Sequence, residues 1–170
     1  MIRIVPLTNI APTDIEALLD AAFGTDRHAR TAYKIRAGTR WIPALSFAAR
    51  DETNALLGLL QSWPVGLTDA DGAQHPITLV GPVAVLPEHQ RAGIGRMMMD
   101  ALMDVVKTGA TGGDAMAMIG DPEYYERFYG FSAATTTAWS VPGPVERHRL
   151  LAKIARAGGL PKVGTLEPRV

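Results

Sequence analysis

The chain has no cysteine among its 170 residues. That absence excludes a disulfide scaffold, a thiol nucleophile and a zinc–thiolate centre, and no other metal site is expected. An excess of charge is missing too, since 17 Lys and Arg balance 17 Asp and Glu. A balanced chain lacks the clustered cations that neutralise phosphate, so no nucleic-acid partner is expected. No apolar run approaches the ~20 residues needed to cross a bilayer. The start Met1-Ile2-Arg3-Ile4-Val5-Pro6 is no signal peptide. These absences predict a cytoplasmic protein without a membrane partner. Internal repeats and low-complexity blocks are lacking as well. What is present is ordinary for one globular domain: 47% hydrophobic and 20% charged residues.

The first half reads as a strand, one or two helices and an antiparallel meander. Ile2, Ile4 and Val5 form a short strand stopped by Pro6. Thr13 is a helix cap, and Ile15, Leu18, Leu19 and Ala22 recur at helical spacing until Gly24. Tyr33, Ile35 and Ala37 suggest a second helix ending near Gly38. Leu45, Phe47 and Ala49 alternate as a half-buried strand, Asp51 to Asn54 is turn chemistry, and Ala55 to Trp63 returns as the hairpin partner.

The second half is a strand–helix–strand unit. Ile77 to Leu86 is a continuous apolar run, as in a strand buried on both faces. Ile94, Met97, Met98, Ala101, Leu102 and Val105 then step along one helical face until Gly109. Asp114 to Ile119 supplies a strand parallel to the first, joined by a right-handed crossover. A short helix follows from about Pro122 to Phe128. Ser132 to Val141 is then read as β structure, because Thr135, Thr136 and Thr137 favour it. From Pro144 on, a terminal helix and loop is expected, with Leu150, Leu151 and Ile154 as its apolar face. The class is α+β, single-domain.

The chemistry concentrates in Val83-Ala84-Val85-Leu86-Pro87-Glu88-His89-Gln90-Arg91-Ala92-Gly93-Ile94-Gly95-Arg96. A strand ends, and a glycine-bearing turn opens directly into an amphipathic helix. Two glycines let backbone N–H groups approach a ligand, and the helix start adds unpaired donors and positive partial charge. Arg91 and Arg96 flank the turn with permanent cations, which suits a diphosphate. A P-loop would need Gly-Lys-Ser/Thr, but Gly95 is followed by Arg96 and Met97. A Rossmann fingerprint would need a third glycine, where Met98 stands.

The segment Gln90-Arg91-Ala92-Gly93-Ile94-Gly95 resembles the acyl-CoA-binding signature Q/R-x-x-G-x-G/A of the GCN5-related N-acetyltransferases (GNAT). The order of elements over roughly residues 1–140 follows that family too, down to a short helix before Gly130-Phe131. The resemblance implies a mixed, mostly antiparallel sheet with a splayed parallel strand pair and flanking helices. It divides the chain into a 1–140 domain and a 141–170 helix/loop extension packed on it. It implies acetyl-CoA as acyl donor, with main-chain groups of Val83, Ala84 and Val85 pairing with the pantetheine arm. Gln90, Arg91, Ala92, Gly93, Ile94, Gly95 and Arg96 would hold the diphosphate, and Gly81-Pro82 would mark the break in the signature strand.

The implied reaction moves an acetyl group to a primary amine of a small molecule or peptide. An alkyl amine with pKa about 10.4 is neutral in only roughly one molecule in 10³ at pH 7, so deprotonation must be assisted. A backbone N–H near Val85 could hold the oxyanion, and a phenol could protonate the departing thiolate. The resemblance places that phenol on Tyr125 if Tyr124-Tyr125-Glu126-Arg127-Phe128 is matched from the left, with Tyr129 inserted. Matched from Gly130, Glu126 takes its place. No base is identified: Leu79 to Val85 carries no carboxylate. The acceptor pocket is expected at Phe23–Arg40 and Trp63–Leu67. There Arg27, His28, Arg30, Lys34, Arg36 and Arg40 would favour an acceptor with an anionic group. A non-catalytic acyl-CoA-binding module is the alternative, and a homodimer is left open.

Overall fold

A computed structural model describes residues 1–109 and 112–170. In order these form β1 (Arg3–Pro6), α1 (Pro12–Phe23), α2 (Thr31–Ile35), β2 (Phe47–Arg50), β3 (Leu56–Thr68) and β4 (Gln74–Val85). They continue with α3 (Ile94–Lys107), β5 (Ala115–Ile119), α4 (Pro122–Tyr129), β6 (Ala138–Ser140), β7 (Leu150–Ile154) and β8 (Val163–Pro168). The strands join in one mixed, mostly antiparallel sheet of order β1-β2-β3-β4-β5-β7, with β8 pairing both β3 and β6. The α+β class and the GNAT-type sheet are as expected. Among the described residues, no helix is long and apolar enough to cross a membrane.

The chain folds as two compact units, and β3 and β4 each run through both. The first unit comprises Met1–His28, Trp41–Ser62 and Val80–Ala110. Here β1 pairs antiparallel with β2 from Arg3↔Arg50 to Pro6↔Phe47, and β2 pairs with β3 from Phe47↔Leu60 to Arg50↔Leu56. Side chains alternate across a strand, so Leu59 joins Ala48 and Ala84 against Ile15, Leu18 and Leu19 of α1. Gly58 faces the other side, beneath Ile94 and Met98 of α3. Helix α1 starts with Pro12 at its first turn after Ala11. Thr13 therefore lies inside the helix rather than capping it, because proline suits a position whose N–H has no intrahelical partner.

The second unit comprises Ala29–Arg40, Trp63–Leu79 and Thr111–Val170. Its core includes Ile35, Val65, Leu67, Ile77, Leu79, Ala117, Trp139 and Leu150, these eight with at most 2% exposure. The parallel pairing of β4 with β5 is confined to Thr78↔Met116 and Leu79↔Ala117. The peptide bond Gly81–Pro82 is cis.

Two expectations fail in this unit. The terminal helix after Pro144 is instead β7 and β8, with a short 3₁₀ turn at Arg147–Arg149. Strand β7 pairs antiparallel with β5 from Ala115↔Ile154 to Ile119↔Leu150, which buries Leu150 and Leu151 completely. Nor do the threonines extend a strand: β6 is only Ala138–Ser140. Thr136 turns inward, and its hydroxyl donates to the Leu150 carbonyl at 2.6 Å. The same hydroxyl lies 3.2 Å from the Ala133 carbonyl, and a local hydroxyl-to-backbone bond of that kind competes with the sheet ladder.

Candidate active site

Strand β4 ends at Val85, and the chain leaves the sheet through an anchored turn. The Leu86 N–H donates to the Leu57 carbonyl at 2.9 Å, and the His89 N–H donates back to Leu86 at 2.9 Å. The Ala92 N–H then donates to His89 at 3.1 Å. The Gln90 side-chain amide reaches the Val85 carbonyl at 3.4 Å, so this residue ties the turn to its own strand. Gly93 occupies the N-cap of α3 in the left-handed region, φ 77° and ψ 15°. A residue with a Cβ pays about 1–2 kcal/mol for that conformation, which explains the glycine.

No side chain caps α3, and no atom lies within 4 Å of where a Cβ on Gly93 would stand. Arg91, Ala92, Gly93 and Arg96 are exposed, whereas Ile94 beside them is buried and pins the helix start to the sheet. The structure therefore brings Val83, Ala84, Val85, Gln90, Arg91, Ala92, Gly93, Ile94, Gly95 and Arg96 together in the first unit, on one strand end, turn and helix start. An open helix N-terminus with its positive partial charge, flanked by two guanidinium groups, is suited to an anion.

Tyr125 belongs to the second unit, on α4. The Asp121 carboxylate caps that helix by accepting from Glu123 N–H at 3.0 Å, and Pro122 occupies its first turn. At the far end Gly130 is left-handed, φ 75°. The Tyr129 that seemed inserted is thus a helical residue, buried at 7% exposure, and the helix simply runs one residue further. Tyr124 packs edge-on against Tyr125 with centroids 4.9 Å apart, and Tyr125 meets Tyr129 at 6.4 Å. Burial, first of all, pushes the Tyr125 phenol up to about 12; Tyr124 and Asp121 add to this and Arg149 opposes it. Such a phenol keeps its proton across the neutral range. Glu126 faces solvent.

The basic stretch is not a uniformly solvated face. Arg27, 2% exposed, pairs with Glu16 at 2.9 Å and Asp20 at 3.0 Å on α1. Arg36, 5% exposed, lies between the rings of Tyr33 and Trp63, at 4.0 and 3.9 Å from their centroids. His28, Arg30, Lys34 and Arg40 are exposed. The sequence reading named Arg36 and Trp63 but missed the sandwich; an arginine near two aromatic residues was its only signal. Arg147, His148, Arg149, Lys153 and Arg156 fall in the stretch expected as the terminal helix. They lie instead in the 3₁₀ turn, on β7 and just beyond it.

The family model described as Acetyltransferase (GNAT) family matches residues 13–131, well over half of the chain. No curated protein matches. Among solved structures, a GNAT family N-acetyltransferase (YhbS) from Escherichia coli, in complex with CoA, is similar at TM-score 0.67 and 23% identity. That similarity covers 99% of this chain and 89% of the other. A GNAT family acetyltransferase from Brucella melitensis, in complex with acetyl-CoA, is similar at TM-score 0.54 and 26% identity, covering 91% and 97%. The ribosomal-protein-S18-alanine N-acetyltransferase from Escherichia coli shares the fold at TM-score 0.53 and 17% identity, covering 89% and 90%. The family match spans both the glycine turn and the tyrosine helix, and on that ground the chain belongs to the GNAT acetyltransferase family.

Proposed function

We propose that this protein takes the acetyl group of acetyl-CoA and transfers it to the neutral primary amine of a small molecule or peptide. The observation that carries this reading is the uncapped start of α3 at left-handed Gly93. The Brucella melitensis relative, solved with acetyl-CoA, supports the choice of donor. In this reading the turn from Gln90 to Arg96 binds the diphosphate through its N–H groups other than that of Ala92, which His89 holds, with Arg91 and Arg96 adding charge. Main-chain groups of Val83, Ala84 and Val85 receive the pantetheine arm as an added strand would.

The amine nitrogen attacks the thioester carbonyl carbon, forming a C–N bond and a tetrahedral oxyanion. That intermediate collapses with cleavage of the C–S bond. Tyr125 donates its phenolic proton to the departing sulfur and is reprotonated from water, while the attacking nitrogen loses a proton to solvent. Burial keeps this phenol protonated at working pH, as donation to the sulfur requires, while the raised pKa makes it a weaker acid than a free phenol. The exposed basic residues Arg30, Lys34 and Arg40, with His28 beside them in the chain, favour an acceptor with an anionic group beside its amine.

The test is thiol release from acetyl-CoA across an amine library. Release that depends on the added amine is the expected result. Acetyl-CoA binding without such release identifies a non-catalytic cofactor-binding module, and no acetyl-CoA binding at all overturns the turn assignment.

A further inference from the structure

In the first unit a cavity of about 430 Å³ opens between α1 and the end of the β2–β3 hairpin. It shares with the glycine turn only its approach, through Leu86, the residue before Pro87. Ile10, Leu18, Leu56 and Leu86 give it apolar walls, and Asp14 and Arg50 bring opposite charges to its lining. Among the described residues neither Asp14 nor Arg50 forms an ion pair. Arg50 donates from Nη2 to the Asn9 carbonyl at 3.2 Å, yet its Nε is enclosed with no hydrogen-bond partner. Leaving a guanidinium nitrogen desolvated and unpaired is costly.

A second feature points the same way. Arg3 stands directly across the β1–β2 ladder from Arg50, a like-charge pairing that destabilises an antiparallel pair. Arg3 itself is turned to Asn54 Oδ1 at 3.0 Å, and Asn54, at φ 71°, also lines the cavity. The Asp51 carboxylate holds that turn by accepting from the Thr53 and Ala55 N–H groups, so it is committed to the backbone. Arg50 thus stands on one wall with an unpartnered nitrogen, Asp14 stands on another without an ion pair, and hydrocarbon lies between.

We propose that this cavity is a second ligand site for a zwitterion with an aliphatic body, an amino acid or short apolar peptide. The ligand's carboxylate faces Arg50, its ammonium faces Asp14, and its side chains rest on Ile10, Leu18, Leu56 and Leu86.

The experiment is a thermal melt of the intact protein without acetyl-CoA, titrated with leucine, leucyl-leucine, N-acetyl-leucine and leucinamide. Leucine and leucyl-leucine separate the two sources of the zwitterion; the other two each lack one charge. At least one zwitterion raises the melting temperature in proportion to occupancy and binds about tenfold more tightly than either blocked analogue. Asp14→Asn, in the exposed first turn of α1, lowers the unliganded melting temperature only slightly and erases the preference for a free ammonium. Ala17→Phe, which fills the cavity from α1, removes the shift. Equal shifts from all four probes, no shift from any, or shifts that survive in both variants overturn the proposal.

Discussion

The Tyr125 ring packs against Gly120 through Cδ2 and Cε2. A Cβ at that glycine would stand only 2.8 Å from ring carbons Cδ2 and Cε2. The glycine therefore sets where the phenol sits, from the last turn of chain before α4 begins. Gly120→Ala should push the ring aside and cost about 1–3 kcal/mol in stability by overpacking. Turnover should fall while acetyl-CoA affinity holds, and kinetics beside a binding titration would check both.

Tyr125→Phe removes the proton and leaves the ring. If the phenol protonates the departing thiolate, turnover falls about 10²-fold with little change in acetyl-CoA affinity. Loss of turnover in Glu126→Gln, with Tyr125→Phe unaffected, would place the acid one residue further along.

The same phenol makes a signed prediction for stability. Burial raises its folded-state pKa from 10.0 to about 12, so the folded protein holds the proton longer than the unfolded chain does. Its contribution is complete below about pH 10 and is lost as pH climbs through about 12. Denaturant melts from pH 9 to pH 12 should show the wild type losing stability faster than Tyr125→Phe.

Gly93→Val tests the turn. The left-handed backbone costs a branched residue about 1–2 kcal/mol, a loss the melting temperature should register. The larger effect is on acetyl-CoA, because the new side chain enters space that is open in the wild type. Unchanged affinity by calorimetry would mean that the cofactor diphosphate lies elsewhere.

The turn and α3 were legible because their signals are local. Gly93 and Gly95 stand at fixed spacing after an apolar strand, and Ile94, Met98 and Leu102 carry the helical period. β7 was not legible, since Leu150, Leu151 and Ile154 fit a helix face as well as a strand. Pairing with β5, more than thirty residues earlier, decides between them. The burial of Arg27 and Arg36 was not legible for a related reason. Their composition reads as solvent-facing, but Glu16 and Asp20 hold one of them and two rings enclose the other. The residues that would receive the acceptor amine carry no spacing of their own, so the sequence offers them no signature.

Arg27→Gln follows from that correction. It leaves the Glu16 and Asp20 carboxylates without their shared partner while preserving most of the buried stem. Because both carboxylates are partly solvated, a loss of about 1–3 kcal/mol is expected. Urea denaturation should show a lower midpoint with an unchanged slope.

Gly58 sits in the middle of the sheet, where a Cβ would come within 2.8 Å of the Ala84 carbonyl and 3.2 Å of both Ile94 and Met98. The depth at which α3 seats is thus governed from a strand laid down well before the helix in the chain. A bulkier residue there would lift the helix as a wedge lifts a lever, tilting the glycine bend without altering one of its own atoms. If acetyl-CoA binds at this bend, its affinity should consequently be tunable from a strand position outside the bend.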